Sequence, residues 1–152
     1  WRCVKFHALA GVAGLFGPLP LLTAQAAKAM FSAPFRRRQP RAVAAWRQAL
    51  ARMDGSVVRR VVEMVADRDS VLPRLGRLDI PALVMAGELD DNTPPAHAHA
   101  LVHHLPGARL VMLRDTGHGA PIEQPMTTLV TLGAFLKECG VIGEAPPLPL
   151  AA

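Results

Sequence analysis

Two short apolar runs in the second half of the sequence constrain the fold more than any other feature. Residues 82–87 (ALVMAG) and 108–113 (ARLVML) are each six residues long and almost free of polar side chains. Such runs are typical of strands in a parallel sheet that is covered on both faces. Between them, a helical pattern begins at 93–95 (TPP) and ends at 106–107 (PG). Strand, helix and strand in this order predict two parallel strands with crossover helices, so the fold class is α/β.

An acid and a histidine follow the two predicted strands at the point where each strand ends. Asp90 follows the first run, and His118 follows the second, 28 residues further along the chain. Functional side chains of parallel sheets gather at the carboxyl ends of the strands, so we expect these two residues to meet. A carboxylate that holds one imidazole nitrogen leaves the other nitrogen as a general base. Asp91 and Glu88 lie in the same loop as Asp90, and position alone leaves the choice among the three acids open.

Residues 79–138 resemble the last third of an α/β-hydrolase-fold protein. The stretches IPALVMAGELDDNTPP and GARLVMLRDTGHGAPIEQP carry the resemblance. In that family one core strand ends in Gly-x-x-Asp followed by proline, and the last strand is followed by Gly-His and then Glu-x-Pro. The residues that match in order and spacing are Gly87, Asp90, Pro94, Gly117, His118, Glu123 and Pro125.

The resemblance implies a partial α/β-hydrolase fold in which Asp90, rather than Asp91, is the triad acid and His118 the triad base. It also implies hydrolysis of an ester, a lactone or a related bond through an acyl-enzyme. A small-molecule substrate and no cofactor are part of that expectation. Glu123 is expected to support its loop or the following helix rather than to do chemistry.

The resemblance and the helical patterns together divide the chain into three segments. Residues 1–78 are similar to the helical lid of lactonase- and esterase-like members of the family. Residues 79–140 are expected to be the carboxyl-terminal part of the hydrolase core, and residues 141–152 a loose, proline-rich tail. In the first segment, helices are predicted at 3–15 and 21–31.

A further lid helix is predicted to begin at Pro40, after a turn formed by PFRRRQP (34–40), and another helix is predicted to follow Asp54-Gly55. Apolar side chains at spacings of three and four mark the faces that we expect to pack into the core. These are Val43, Trp46, Leu50, Met53, Val57, Val61, Met64 and Val65 in the first segment, and Leu129, Leu132, Phe135 and Leu136 in the last helix.

The nucleophile that the resemblance calls for is missing from the sequence. In that family it stands in Gly-x-Ser-x-Gly at the end of an earlier strand. Ser32, Ser56 and Ser70 are the serines of the chain, and none has glycines two residues away on both sides. The chain also begins at Trp1 rather than at methionine. We interpret it as the carboxyl-terminal part of a longer hydrolase, inactive alone because the amino-terminal half of the fold is missing.

Three alternatives remain open. An aspartate nucleophile would make the parent protein an epoxide hydrolase or a dehalogenase. A cofactor-free, peroxidase-like member or a carbon–carbon hydrolase would keep the same triad. A non-catalytic chain that folds only with a partner chain is the third alternative, because two strands leave apolar sheet edges uncovered.

Charge and composition argue against several other classes of protein. Residues 1–78 hold 14 Lys and Arg against 4 Asp and Glu, whereas residues 79–152 hold 3 against 8. Tyrosine is absent, and the arginines are spread as on a solvated face, so nucleic-acid binding is not expected. The apolar stretch near the start is too interrupted for a membrane span and a poor signal peptide.

The cysteines and histidines give no metal or disulfide signature. Cys3 and Cys139 make no disulfide framework, so a reducing cytoplasm is the expected compartment. His99 and His103 have the spacing of two metal ligands, but no further ligand completes a site. All four histidines of that helix are therefore expected to be exposed, namely His97, His99, His103 and His104.

Overall fold

The structure is a computed structural model, and it describes residue 11 and residues 19–66 and 69–143. The helix predicted at 3–15 lies outside the described residues except for Gly11. Most of the predicted tail, residues 144–152, also lies outside them.

Five helices precede the sheet in the described part of the chain. They are α1 (Pro20–Met30), α2 (Ala33–Arg38), α3 (Pro40–Ala51), α4 (Gly55–Ala66) and α5 (Leu72–Leu75). Proline stands in the first turn of α1, α2, α3 and α5, where its missing N–H costs nothing and its fixed φ suits a helix. The predicted helices at 21–31 and from Pro40 are confirmed.

Residues 34–38 of the stretch PFRRRQP lie in helix α2, so the prediction of this stretch as a turn was wrong. Ser32 caps helix α2, since its Oγ accepts a hydrogen bond from the backbone N–H of Phe35 at 3.2 Å. A serine cap and an early proline are both helix-start signals. Arg36 at the end of this helix donates a hydrogen bond from its guanidinium to the carbonyl of Phe31.

A small aromatic core holds helices α1, α2 and α3 together, and we call residues 20–51 the helical layer. Phe31 is 1% exposed, and its ring lies 5.3 Å from the rings of both Phe35 and Trp46. Ala27 and Val43 complete the buried cluster. The predicted stripe on α3 therefore packs inward at its first two positions, whereas Met53 beyond the helix is 45% exposed.

Two parallel strands follow, as the sequence predicts. Strand β1 (Leu83–Gly87) pairs with β2 (Arg109–Leu113), and helix α6 (Pro95–His104) connects them. The register places Gly87 opposite Leu113, so the carboxyl ends of the two strands are level. Helices α7 (Ala120–Glu123) and α8 (Pro125–Glu138) follow.

Several predicted core positions are exposed, which corrects the sequence analysis. Val57, Val61, Met64 and Val65 on α4 are between 46% and 68% exposed, and Leu129 and Leu132 on α8 are 63% and 42% exposed. The strands, expected to be covered on both faces, are mostly only partly buried. Periodicity identifies an apolar face, but burial depends on what lies against that face, and these faces lack a covering element among the described residues.

Among the helices that the structure describes, none combines the length and apolar character that a membrane crossing requires.

Candidate active site

The loops after β1 and β2 are joined by backbone hydrogen bonds beyond the strand ends. The N–H of Glu88 donates to the carbonyl of Leu113 at 3.0 Å, and the N–H of Leu89 donates to the carbonyl of Thr116 at 2.8 Å. Gly87 lies so close to the second loop that a Cβ at this position would overlap the carbonyl oxygens of Thr116 and Gly117. The absence of a side chain at Gly87 lets the two loops approach each other.

The substitution Gly87→Ala is expected to destabilise the protein by about 3 kcal/mol, since backbone atoms must move to admit the methyl group. The free energy of unfolding, measured by urea denaturation, tests this. Gly133→Ala is the matched control, because outside the neighbouring residues and the backbone of α8 no atom lies within 4 Å of a Cβ built there. Helix α8 should gain up to about 1 kcal/mol from alanine. A Gly87→Ala protein as stable as the parent would refute the close approach.

The structure brings Asp90 and His118 into direct contact at the level ends of the strands. Nδ1 of His118 lies 2.8 Å from Oδ2 of Asp90. Asp90 is 6% exposed, whereas the side chain of His118 is 34% exposed. The buried carboxylate thus holds an imidazole that still reaches solvent. Asp91 and Glu88, the other two acids of the loop, are exposed, and the contact to His118 is made by Asp90.

Thr93 completes this arrangement, although its place in the sequence predicts only a helix start. Its hydroxyl donates a hydrogen bond to Oδ2 of Asp90 at 2.7 Å and lies 3.1 Å from Nδ1 of His118. The backbone N–H groups of Asn92 and Thr93 donate to Oδ1 of Asp90 at 2.9 and 2.8 Å. An aspartate that follows a strand commonly accepts hydrogen bonds from the backbone two residues on, as in an Asx turn. The threonine three residues after Asp90 is the sequence signal that could have identified Thr93.

The hydrogen bonds around Asp90 decide its charge. Burial alone would raise the pKa of the Asp90 carboxyl, because a buried charge loses hydration. The backbone N–H and hydroxyl of Thr93, together with His118, outweigh burial and hold the pKa below its ordinary value. The carboxyl group is therefore an ionised acceptor at neutral pH.

The same contacts select the tautomer of His118. The Asp90 carboxylate only accepts hydrogen bonds, and the Thr93 hydroxyl donates its single proton to that carboxylate. Both oxygens near Nδ1 are thus acceptors for a proton on that nitrogen. With the proton on Nδ1, Nε2 carries a lone pair and has the form required of a general base.

A cavity of about 650 Å³ opens beside the Asp90–His118 pair. Its walls come from β1, from α6 and from residues 69–72, and both Asp90 and His118 line it. Apolar side chains such as Val84, Met85 and Leu101 make up much of the wall. A largely apolar cavity with a few polar groups is the usual form of a small-molecule site.

The serines of the chain do not complete a triad in the described structure. Ser32 is 3% exposed and donates its hydroxyl proton to Oε2 of Glu123 at 2.6 Å. Ser56 donates to Asp54 at the exposed start of α4. Ser70 is exposed and lies on the cavity wall. Within residues 19–66 and 69–143, no serine hydroxyl is hydrogen-bonded to His118.

The histidines of α6 are exposed, including His99 and His103. In the described ranges of the chain, no three His, Cys, Asp or Glu side chains are grouped so that they could hold a metal ion. Asp115, another acid near the site, is an exposed turn residue with φ of 55°.

Comparison with solved structures shows the α/β-hydrolase fold. An esterase from Thermogutta terrifontis superposes with a TM-score of 0.82 at 22% identity, and the match covers 90% of this chain and 50% of that chain. An enol-lactonase from Burkholderia xenovorans LB400 superposes with a TM-score of 0.79 at 26% identity, covering 87% and 50%. The chain thus spans about half the length of the solved structures that it matches.

Sequence comparison identifies the family. Rhodomycin D methylesterase DnrP from Streptomyces peucetius is 33% identical over 58 residues, which are 37% of this chain and 20% of that protein. A family model described as TAP-like protein matches residues 56–139, more than half of the chain. The chain therefore belongs to the TAP-like family of α/β hydrolases.

Proposed function

We propose that Asp90 and His118 are the acid and the base of a nucleophile–His–Asp triad that hydrolyses an ester or lactone. The observation that carries the proposal is the 2.8 Å contact between His118 Nδ1 and Asp90 Oδ2 at the edge of a cavity. Asp90 fixes the tautomer and the orientation of the imidazole and stabilises the imidazolium when it forms.

In the proposed reaction, Nε2 of His118 takes the proton of a nucleophilic hydroxyl as that oxygen bonds to the carbonyl carbon of the substrate. The imidazolium then gives this proton to the departing alkoxide oxygen as the carbon–oxygen bond breaks, leaving an acyl-enzyme. A water molecule is deprotonated by the same nitrogen and attacks the acyl carbon, and the returning proton regenerates the nucleophile. Each step uses the lone pair that the Asp90 contact leaves free.

The substrate class rests on the cavity and on the relatives. A largely apolar wall beside the base favours an uncharged ester or lactone over a charged substrate. The similar proteins include a methylesterase, an esterase and an enol-lactonase, and these names denote enzymes that act on an ester or a lactone. The proposed partner is accordingly a small-molecule substrate, and the chemistry requires no cofactor.

The nucleophile and the oxyanion hole belong, in this proposal, to an amino-terminal half of the fold. The chain spans about half the length of its solved relatives. The apolar faces of α4 and α8 are exposed, as expected where another part of a core would pack. Residues up to 78 would form the lid, and residues 79–140 the end of the core. Among the residues that the structure describes, Cys139 is in no disulfide, and we propose a reducing cytoplasm as the compartment.

Hydrolysis of p-nitrophenyl butyrate by the intact protein, meaning this chain with its proposed amino-terminal half, tests the proposed function. We expect turnover of that ester and of a simple lactone. The chain alone should release p-nitrophenol no faster than the solution background, because a base and an acid without nucleophile and oxyanion hole lose most of the rate. If the intact protein turns over styrene oxide or a haloalkane but hydrolyses neither the ester nor the lactone, the proposal is rejected. That result would indicate an aspartate nucleophile.

A further inference from the structure

Glu123 connects the loop that carries His118 to the helical layer. Its Oε1 accepts hydrogen bonds from the backbone N–H of Gly117 at 3.1 Å and of Ser32 at 3.0 Å. Its Oε2 accepts the hydroxyl proton of Ser32 at 2.6 Å. One carboxylate thus binds three donors, two of them 91 residues away in the sequence. Hydrogen bonds to an ionised acceptor are stronger than those between neutral groups.

A second connection lies on the other side of His118. The N–H of Gly119 donates to the carbonyl of Met30 at 2.7 Å, and a Cβ on Gly119 would lie 3.0 Å from the ring of Phe31. Gly117 is equally close, since a Cβ there would lie 2.6 Å from the backbone nitrogen of Ser32. Both neighbours of His118 in the chain are therefore held against residues 30–32.

The ring and the backbone of His118 are thus held by different parts of the molecule. Asp90 and Thr93, from the loop after β1, contact the imidazole at Nδ1. The backbone on either side of His118 is fixed by Glu123 and by the helical layer. Movement of residues 30–32 would shift the Cα of His118 while Asp90 still held one ring nitrogen, so Nε2 would turn away from its reacting position.

We propose that Glu123 is a positioning residue for His118. Together with Ser32, it couples the position of the helical layer to the orientation of the His118 imidazole. The inference rests on the proposed function, in which His118 is that base. Catalysis depends on reacting atoms at near-contact distance and correct angle, and a misplacement of about 1 Å can cost on the order of a hundredfold in rate. Glu123 touches neither nucleophile nor substrate in this account and acts only through the position of His118.

Glu123→Ala in the intact protein is expected to lower kcat for p-nitrophenyl butyrate by about a hundredfold, with KM changed by less than about threefold. Glu123→Gln should restore most of the loss, because one amide oxygen can still accept from the N–H groups of Gly117 and Ser32. Glu88→Gln is the control, since Glu88 is an exposed acid in the loop beside Asp90, and its kcat should equal that of the parent.

A spectroscopic readout separates positioning from general loss of structure. The proton on Nδ1 of His118, observed by NMR in ¹⁵N-histidine-labelled protein, reports the hydrogen bond to Asp90. We expect its resonance to move or broaden in Glu123→Ala and to remain in place in Glu88→Gln and, largely, in Glu123→Gln. If Glu123→Ala does not fold, Ser32→Ala, which removes one of the three donors to Glu123 together with the cap of α2, must fold and show the same change to a smaller degree.

Two results would overturn the inference. One is a folded Glu123→Ala protein with parental kcat and an unmoved Nδ1 resonance. The other is a loss of kcat that Glu123→Gln does not relieve while the resonance stays in place. The proposed function would be rejected by a different result, namely a His118→Ala protein that retains parental kcat. If His118→Ala is inactive while Glu123→Ala has parental kcat, only the positioning role of Glu123 is rejected.

Discussion

Replacing His118 by alanine in the intact protein is expected to lower kcat for ester hydrolysis by at least about 10⁴-fold, the scale of loss when a triad base is removed. Nε2 of His118 handles the proton in both halves of the proposed reaction, so both acylation and deacylation should slow. KM should change little, because the imidazole contributes to transition-state stabilisation more than to binding. Steady-state kinetics with p-nitrophenyl butyrate measure both constants.

His99→Ala is the matched control for that measurement. His99 is an exposed histidine of α6, and its removal changes the histidine content without touching the Asp90–His118 pair. Its kcat should equal that of the parent protein. Equal losses in the two variants, or parental kcat in His118→Ala, would remove His118 from the reaction.

The second large effect is expected from Asp90→Asn, with kcat lowered on the order of 10⁴-fold. The amide oxygen can still accept the backbone N–H groups of Asn92 and Thr93 that now bind Oδ1, so the turn should survive. The amide nitrogen is a donor, however, and it would face Nδ1 of His118 in the place of Oδ2. This amide nitrogen would favour the His118 tautomer that carries its proton on Nε2. In that tautomer Nε2 has no lone pair to accept the proton of the nucleophile.

Asp91→Asn is the control, and it also decides between the two adjacent acids. Asp91 is exposed, and we expect parental kcat after this change. Circular dichroism and thermal denaturation should show both variants folded. A loss of kcat in Asp91→Asn, with parental kcat in Asp90→Asn, would assign the role of the acid to Asp91. That result would contradict the contact between Asp90 and His118 in the structure.

The elements that carry the site could be predicted because their signals are local. Apolar runs of six residues predicted β1 and β2, and proline and glycine marked the ends of α6. Parallel pairing then brought the carboxyl ends of the strands together, which is why Asp90 and His118 could be expected to meet. Their contact follows from the parallel topology and the equal lengths of the two strands, and a short stretch of sequence is enough to predict both.

The burial of helix faces and the distant polar contacts could not be predicted in the same way. Leu129 and Val61 lie on apolar faces that remain exposed, because periodicity does not show which element covers a face. The sequence offers Ser32 only as a candidate nucleophile, whereas in the structure it caps α2 and binds Glu123. The contact between Ser32 and Glu123 joins residues 91 positions apart, and no local sequence pattern in either segment predicts contact with the other.

The proposed triad requires a nucleophile that is encoded before this chain, so the decisive measurement is the coding sequence upstream of the Trp1 codon, read in frame. We expect an apolar strand that ends in Gly-x-Ser-x-Gly, which would supply the hydroxyl that His118 deprotonates. An aspartate in place of that serine would contradict ester hydrolysis and indicate epoxide or halide chemistry. An in-frame stop codon close upstream, with no such strand before it, would contradict the triad itself and leave Asp90 and His118 as a structural pair.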